Sequence, residues 1–217
     1  MTLKFRSFCK HYLTLTIGLT LMGMAVALSK LAGLGTSPIS SIPNVVSLIT
    51  PLTIGQMTMV FMLVLISAEI LFLRRQFSPW AWLQLIPSVI FGVLIDYFTS
   101  WLSWIPMNNY AAKLIATFVS IFLLAWGVYF EVNSRTILMA GEGLSSAVAI
   151  ALHIAFPRAK VWCDATMVIV AVIIALIWLH GLVGVREGTI LSALITGRLV
   201  SLFTDKMPNF THWLHTK

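Results

Sequence analysis

The residues best placed to do chemistry are hydroxyls and backbone amides gathered around glycines. Gly33-Leu34-Gly35-Thr36-Ser37-Pro38-Ile39-Ser40-Ser41 follows a long apolar run, and Gly141-Glu142-Gly143-Leu144-Ser145-Ser146 is its weaker echo. Each opens a segment too short to cross a bilayer comfortably. A glycine-flanked short helix whose amino end points into a membrane presents unpaired N–H groups and the positive end of a helix dipole. Two such ends meeting would suit a carboxylate, a small oxyanion or a polar neutral solute. Thr36, Ser37, Ser40, Ser145 and Ser146 are therefore the predicted substrate contacts. Gln56 and Asp164, near the starts of the helices that follow, are expected to reach the same centre with Thr58 and Thr166. The competing reading is that these small residues only let helices approach closely, as Gly and Ser do in membranes.

Two charges stand inside apolar runs. Asp96 and Arg198 would each be expensive alone in hydrocarbon, so the sequence predicts that they form an intramembrane ion pair. Glu131, Asn133 and Arg135 form a polar patch ahead of the second glycine turn, readable as a network lining a mouth or as solvated interfacial residues. Glu69 is expected to balance Arg74 and Arg75. His153, His180, His212 and His215 are scattered without paired-ligand spacing, so no metal site is predicted. Cys9 and Cys163 form no CxxC pair and read as structural. No nucleophile elbow, P-loop or dinucleotide fingerprint occurs, so the sequence predicts no catalytic residues, no cofactor and no enzyme.

The elements that must position these residues are membrane helices. Of 217 residues 59% are hydrophobic and 10% charged, and the mean hydropathy is +0.96, whereas a soluble domain carries roughly 25% charged residues. The net charge of +7 sits mostly in connectors, which points to membrane orientation and lipid contact and not to nucleic acid. Apolar runs cover residues 12–31, 54–73, 80–104, 111–130, 161–180 and 190–203, with short segments at 38–49 and 144–156. Ser37-Pro38 and Ser78-Pro79 read as caps followed by proline at the first helical position, and Thr53 to Gln56 has capping-box spacing.

A shift of 108 residues lays Gly33 on Gly141, Ser37 on Ser145 and Thr58 on Thr166, and a shift of 105 lays Gly92 on Gly197 and Phe98 on Phe203. The sequence thus predicts an internal duplication, repeat 1 at about 11–106 and repeat 2 at about 111–206, within a single transmembrane domain 1–217. If both short segments are re-entrant, the cytoplasmic side holds ten cations, Lys4, Arg6, Lys10, Arg74, Arg75, Arg135, Arg158, Lys160, Lys206 and Lys217, against Lys30, Lys113 and Arg186 outside. Full crossings would weaken that split to eight against five, so the re-entrant arrangement is preferred. The predicted fold is an all-α polytopic bundle of six spanning helices and two short re-entrant helices, with an inverted internal repeat.

The pattern GLGTSPISSIPNVVS, then TIGQMTMV, then GEGLSSAVAIAL and GLVGVREGTILSALITGRLVSLF resembles the YczE/YyaS/YitT family of bacterial membrane proteins over nearly the whole chain. The likeness is most specific at residues 184–189 through Gly197 and at the first glycine turn. The chain departs from the pattern at Ser40, where an acidic residue is expected, and at Arg198, where proline is expected. The resemblance implies a multi-pass bacterial inner-membrane protein and gives no substrate. Charge bias adds cytoplasmic amino and carboxyl termini. The expected function is a small-solute transporter or permease, compatible with a homodimer. The alternatives are a substrate-binding subunit docked on an ATPase, or a non-transporting scaffold or assembly factor.

Overall fold

The computed structural model describes residues 2–207 and Leu214, with side chains from Phe8 onward, Arg75 excepted. The side chains of Lys4, Arg6, Arg75, His212, His215 and Lys217, weighed above, lie outside the described residues. All described regular structure is helical: α1 Thr2–Ala32, α2 Pro38–Ser47, α3 Ile54–Leu73, two 3-10 turns Arg74–Gln76 and Pro79–Gln84, α4 Leu85–Trp101, α5 Tyr110–Ser134, α6 Ala140–Ala151, α7 Phe156–Trp178 and α8 Glu187–Lys206.

Local chemistry sets the boundaries. Thr53 accepts from the Gln56 amide N–H at 3.1 Å while the Gln56 side chain accepts from the Thr53 N–H at 3.0 Å, so the predicted capping box opens α3. Asn109 caps α5 by accepting from the Ala112 N–H at 2.7 Å. Prolines stand in the first turns of α2 and α7, where their missing N–H costs nothing.

Among the described residues five helices are long and apolar enough to cross a membrane: residues 8–32, α3, 79–101, α5 and α7. The sequence predicts six. The sixth, α8, is as long as α3 at 20 residues, but Arg198 near its middle and charged residues at both ends keep it below the apolar content of the others. α1 is the hub of the bundle, 61% buried over its most apolar stretch, whereas α7 is 22% buried and lies at the periphery.

Glycines permit the closest packing. A side chain at Gly18 would meet the Gly127 carbonyl at 2.9 Å, which locks α1 antiparallel to α5. A side chain at Gly92 would meet the Gly55 carbonyl at 2.7 Å, which locks α4 against α3. Small residues at such crossings let backbones approach in a way larger ones forbid.

Side-chain contacts sort the helix ends into two groups. At one end His11 of α1 meets the Ser134 carbonyl of α5 at 2.7 Å, and Glu69 of α3 accepts from Gln84, just before α4, at 3.1 Å. Met139, capping α6, donates to Glu131 of α5 at 2.9 Å, and Lys160 of α7 comes back to Glu142 of α6 at 3.6 Å. At the other end Asp96 of α4 binds the start of α3 and lies within electrostatic range of Lys30 of α1. There too the Gly188 N–H of α8 donates to Leu34 at 2.8 Å, and Tyr110 of α5 reaches Glu187 at 3.4 Å. The chain therefore leaves α5 and enters α7 at one end, and leaves α1 and enters α3 at the other.

Four pairs of element boundaries share one spacing, while the ends of α2 and α6, of α3 and α7, and of α4 and α8 lie 104, 105 and 105 residues apart. Ala32 and Ser134 end helices, and Pro38 and Ala140, Ile54 and Phe156, Leu85 and Glu187 begin them, each pair 102 residues apart. The offsets of 108 and 105 taken from side-chain matches thus stand beside a spacing of 102 at these four boundaries. At a spacing of 102 Ser40 falls on Glu142, and Asp96 on Arg198. The second glycine motif is corrected. Gly141 and Gly143 lie inside the first turns of α6 and form no turn before it, because a side chain at either would overlap Ile39 or the Glu69–Gln84 pair.

Candidate functional site

The first glycine turn carries a real conformational demand. Gly33 and Gly35 adopt φ of +70° and +99°, values that L-residues rarely hold. The turn brings Thr36 and Ser37 inward, where they are 1% and 5% exposed. Gly35 lies so close to Thr189 and to the Arg186 amide that no side chain fits. The glycine turn and the Gly184–Thr189 segment are thus one structural unit. Asn44 of α2 completes it by donating to the Gly184 carbonyl at 2.9 Å.

Behind this unit lies a small cavity of about 10 Å³, lined by Ser29 of α1, Thr36 and Ser37 of the turn, Thr117 and Ser120 of α5, and Ser192 of α8. That is about the space of one water molecule. Among the described residues no charged side chain lines it. Ser29, Thr117 and Ser120 spend their hydroxyls on carbonyls one turn back in their own helices. Thr36, Ser37, Ser40 and Thr189 differ: among the described residues no partner reaches their buried hydroxyls. Ser37 occupies the cap position of α2 without making a side-chain cap bond. A buried hydroxyl without a partner costs on the order of 1–3 kcal/mol, so Thr36, Ser37 and Thr189, gathered at the glycine turn, amount to a set of donors and acceptors held ready for something that hydrogen-bonds.

The other predicted contacts lie elsewhere. Ser40 is one turn along α2, buried and unpartnered but outside the cavity lining. Ser145 is buried in α6 and donates to the Gly141 carbonyl at 3.0 Å, and Ser146 is half-buried beside it. Gln56 is exposed and committed to capping α3. Thr58 is buried and Thr166 exposed, and each hydroxyl returns to its own helix at 2.8 Å. Asp164 accepts from Lys160 at 2.8 Å. The two short helices do approach at their first turns, where Ile39 packs on Gly141, but the hydroxyls do not form one symmetrical centre.

The expected Asp96–Arg198 ion pair does not form. Asp96 accepts from the Thr53 hydroxyl at 2.5 Å and from the Gly55 N–H at 2.9 Å, a carboxylate at a helix amino end, while Arg198 is exposed on α8. The reason is packing: α3 and α4 pack along their length, whereas α8 packs mainly on α5. Glu69 binds Gln84, and the side chain of Arg75 lies outside the described residues. Thr189, Ser192, Thr117 and Ser120 went unremarked as site residues. The Gly184–Thr189 motif was legible as specific, but its partner, the first glycine turn, could be recognised only in three dimensions.

The class these features define is a helical protein built for a bilayer, with hydroxyls buried at its centre. The chain belongs to DUF6198, a family of unknown function, which matches residues 9–205. No curated protein and no solved structure matches it.

Proposed function

We propose that the protein is a bacterial inner-membrane permease for a small hydrogen-bonding solute, neutral or anionic. In this reading α8 spans as the sixth helix, the two halves are inverted three-helix repeats, and α2 and α6 enter from opposite faces. The grouping of helix ends supports it: α1, α3 and α4 alternate in one sense and α5, α7 and α8 in the other. That Arg74, Arg135, Arg158 and Lys160 share the end where α1 begins supports a cytoplasmic location for both termini. The likeness to the YczE/YyaS/YitT pattern is in keeping with that location.

The observation that carries the reading is the set of unpartnered hydroxyls at Thr36, Ser37 and Thr189 beside the amino end of α2. Hydroxyls and amide N–H groups without cations select for hydrogen bonding over charge. One observation favours a non-transporting scaffold instead: the cavity as it stands has room for about one water molecule. Transport therefore requires α2 or α8 to move, and the scaffold reading requires neither. A thermal-shift screen of purified protein against amino acids, organic acids and inorganic anions separates the two. The permease reading expects a stabilising solute whose effect is lost in Ser37→Ala and kept in Ser145→Ala, whose hydroxyl is already committed. A hit surviving Ser37→Ala, or no hit in any class, sinks it.

A further inference from the structure

A second buried polar centre lies where α5, α6 and α7 meet, and among the described residues it is short of positive charge. Glu131 is fully buried and Glu142 is 6% exposed. One Glu131 oxygen accepts from the Met139 N–H at 2.9 Å, and the other has no partner. One Glu142 oxygen lies 3.6 Å from the Lys160 ammonium, and its other oxygen is also buried and unpartnered. Lys160 is bound more closely by Asp164, at 2.8 Å. Three carboxylates thus share one ammonium, and that ammonium is held mainly by the carboxylate farthest along α7.

The surroundings supply little more. From α1, His11 is bound at the Ser134 carbonyl, with Lys10 one residue before it. From α3 comes Glu69, held by Gln84 next to Gly143. α7 adds the buried Cys163 thiol, and Arg135, on the connector after α5, is exposed. Glu131 and Glu142 lie within electrostatic range of each other, where two carboxylates in a low-dielectric interior repel each other, and an uncompensated buried charge is costly.

We propose that Glu131 and Glu142 form a proton-binding site in which their two unpartnered oxygens share one proton. The proton comes from water. It forms an O–H bond on one carboxylate and a hydrogen bond to the other, which satisfies both orphaned atoms at once, and on release it returns to water. A metal cation fits less well, because the Lys160 ammonium already stands at the site and would repel it, and a hard cation needs about six oxygen ligands. Lys160 then acts as the positioning residue that holds Glu142 toward Glu131. At the spacing of 102 residues the first half carries Ser29 and Ser40 in place of Glu131 and Glu142, with Thr58 in place of Lys160. The first half therefore holds hydroxyls where the second half holds charge and a proton. The proposal does not depend on the permease reading, since protonation is a property of the resting protein.

The test is infrared spectroscopy of the full-length protein in lipid, read for the carbonyl stretch of a protonated carboxylic acid shielded from water. Such a band is expected in the wild type at neutral pH. Its intensity should correspond to one carboxyl per chain, and it should be lost in Glu131→Gln and in Glu142→Gln and retained in Glu69→Gln. A wild type without the band, or a band unchanged in both glutamine variants, overturns the proposal. Should either variant fail to fold, carbodiimide labelling of the wild type decides, because the reagent modifies protonated carboxyls in apolar sites. Adducts mapped to Glu131 or Glu142 support the site, and adducts at neither overturn it.

Discussion

Replacing Gly35 with alanine tests the unit formed by the glycine turn and the start of α8, and Gly33 supplies an internal control. Both have positive φ, +70° at Gly33 and +99° at Gly35, so alanine at either imposes backbone strain on the order of 1–3 kcal/mol. They differ in what surrounds them. A side chain at Gly33 meets nothing within 4 Å, whereas one at Gly35 meets the Arg186 amide at 2.8 Å, the Thr189 amide at 3.2 Å and the Thr189 hydroxyl closer still. Backbone atoms cannot swing aside, so the overlap must be relieved by moving α8 off the turn, an added cost of roughly 1–3 kcal/mol, as for overpacking. At about 2–4 °C per kcal/mol for a chain of this size, Gly35→Ala should melt some 2–12 °C below Gly33→Ala. The assay is thermal unfolding of both variants in the same detergent, with any stabilising solute titrated into each. Equal melting temperatures would refute the docking of α8 on the turn, and undiminished solute stabilisation in Gly35→Ala would separate the cavity from that docking.

Asp96→Asn should lower stability by about 1–2 kcal/mol, the scale of a lost helix cap, while Arg198→Gln should stay within about 0.5 kcal/mol, as exposed positions do. Equal losses in the two variants, measured by thermal unfolding, would restore the ion pair. Gly92→Ala should destabilise by about 1–3 kcal/mol because the Gly55 carbonyl stands 2.7 Å from the added carbon. Gly197→Ala, with open space around it, should be neutral or stabilising by up to about 1 kcal/mol from helix propensity. Identical melting temperatures for those two would show that α4 and α8 pack alike.

What the sequence disclosed was local. The Thr53–Gln56 capping box depends on two residues three apart and was readable from their identities, as were the apolar helices and the glycine turn at Gly33–Gly35. What stayed hidden was tertiary. The Asp96–Arg198 pair was argued from the cost of lone charges in hydrocarbon, but Asp96 meets that cost with a neighbouring hydroxyl and an amide, and Arg198 by facing outward. Gln56 looked free to face a cavity because the capping box and the substrate role were weighed separately. Gly141 and Gly143 copied the composition of the first motif without its conformation: glycine is required there by Ile39 and by the Glu69–Gln84 pair, residues distant in sequence. Glu131, Glu142 and Lys160 come from three helices, and no spacing along the chain announces that they meet.

The central claim is that α2 and α6 each return to the face they left, from opposite sides of the membrane. Single cysteines at positions 33, 52, 135 and 153, in a chain with Cys9 and Cys163 replaced, can be labelled with an impermeant maleimide in cells and in inverted vesicles. The account predicts that 33 and 52 react from one face and that 135 and 153 both react from the other. Position 52 reacting from the face opposite 33, or 153 from the face opposite 135, would mean that a short helix carries the chain across and would contradict it.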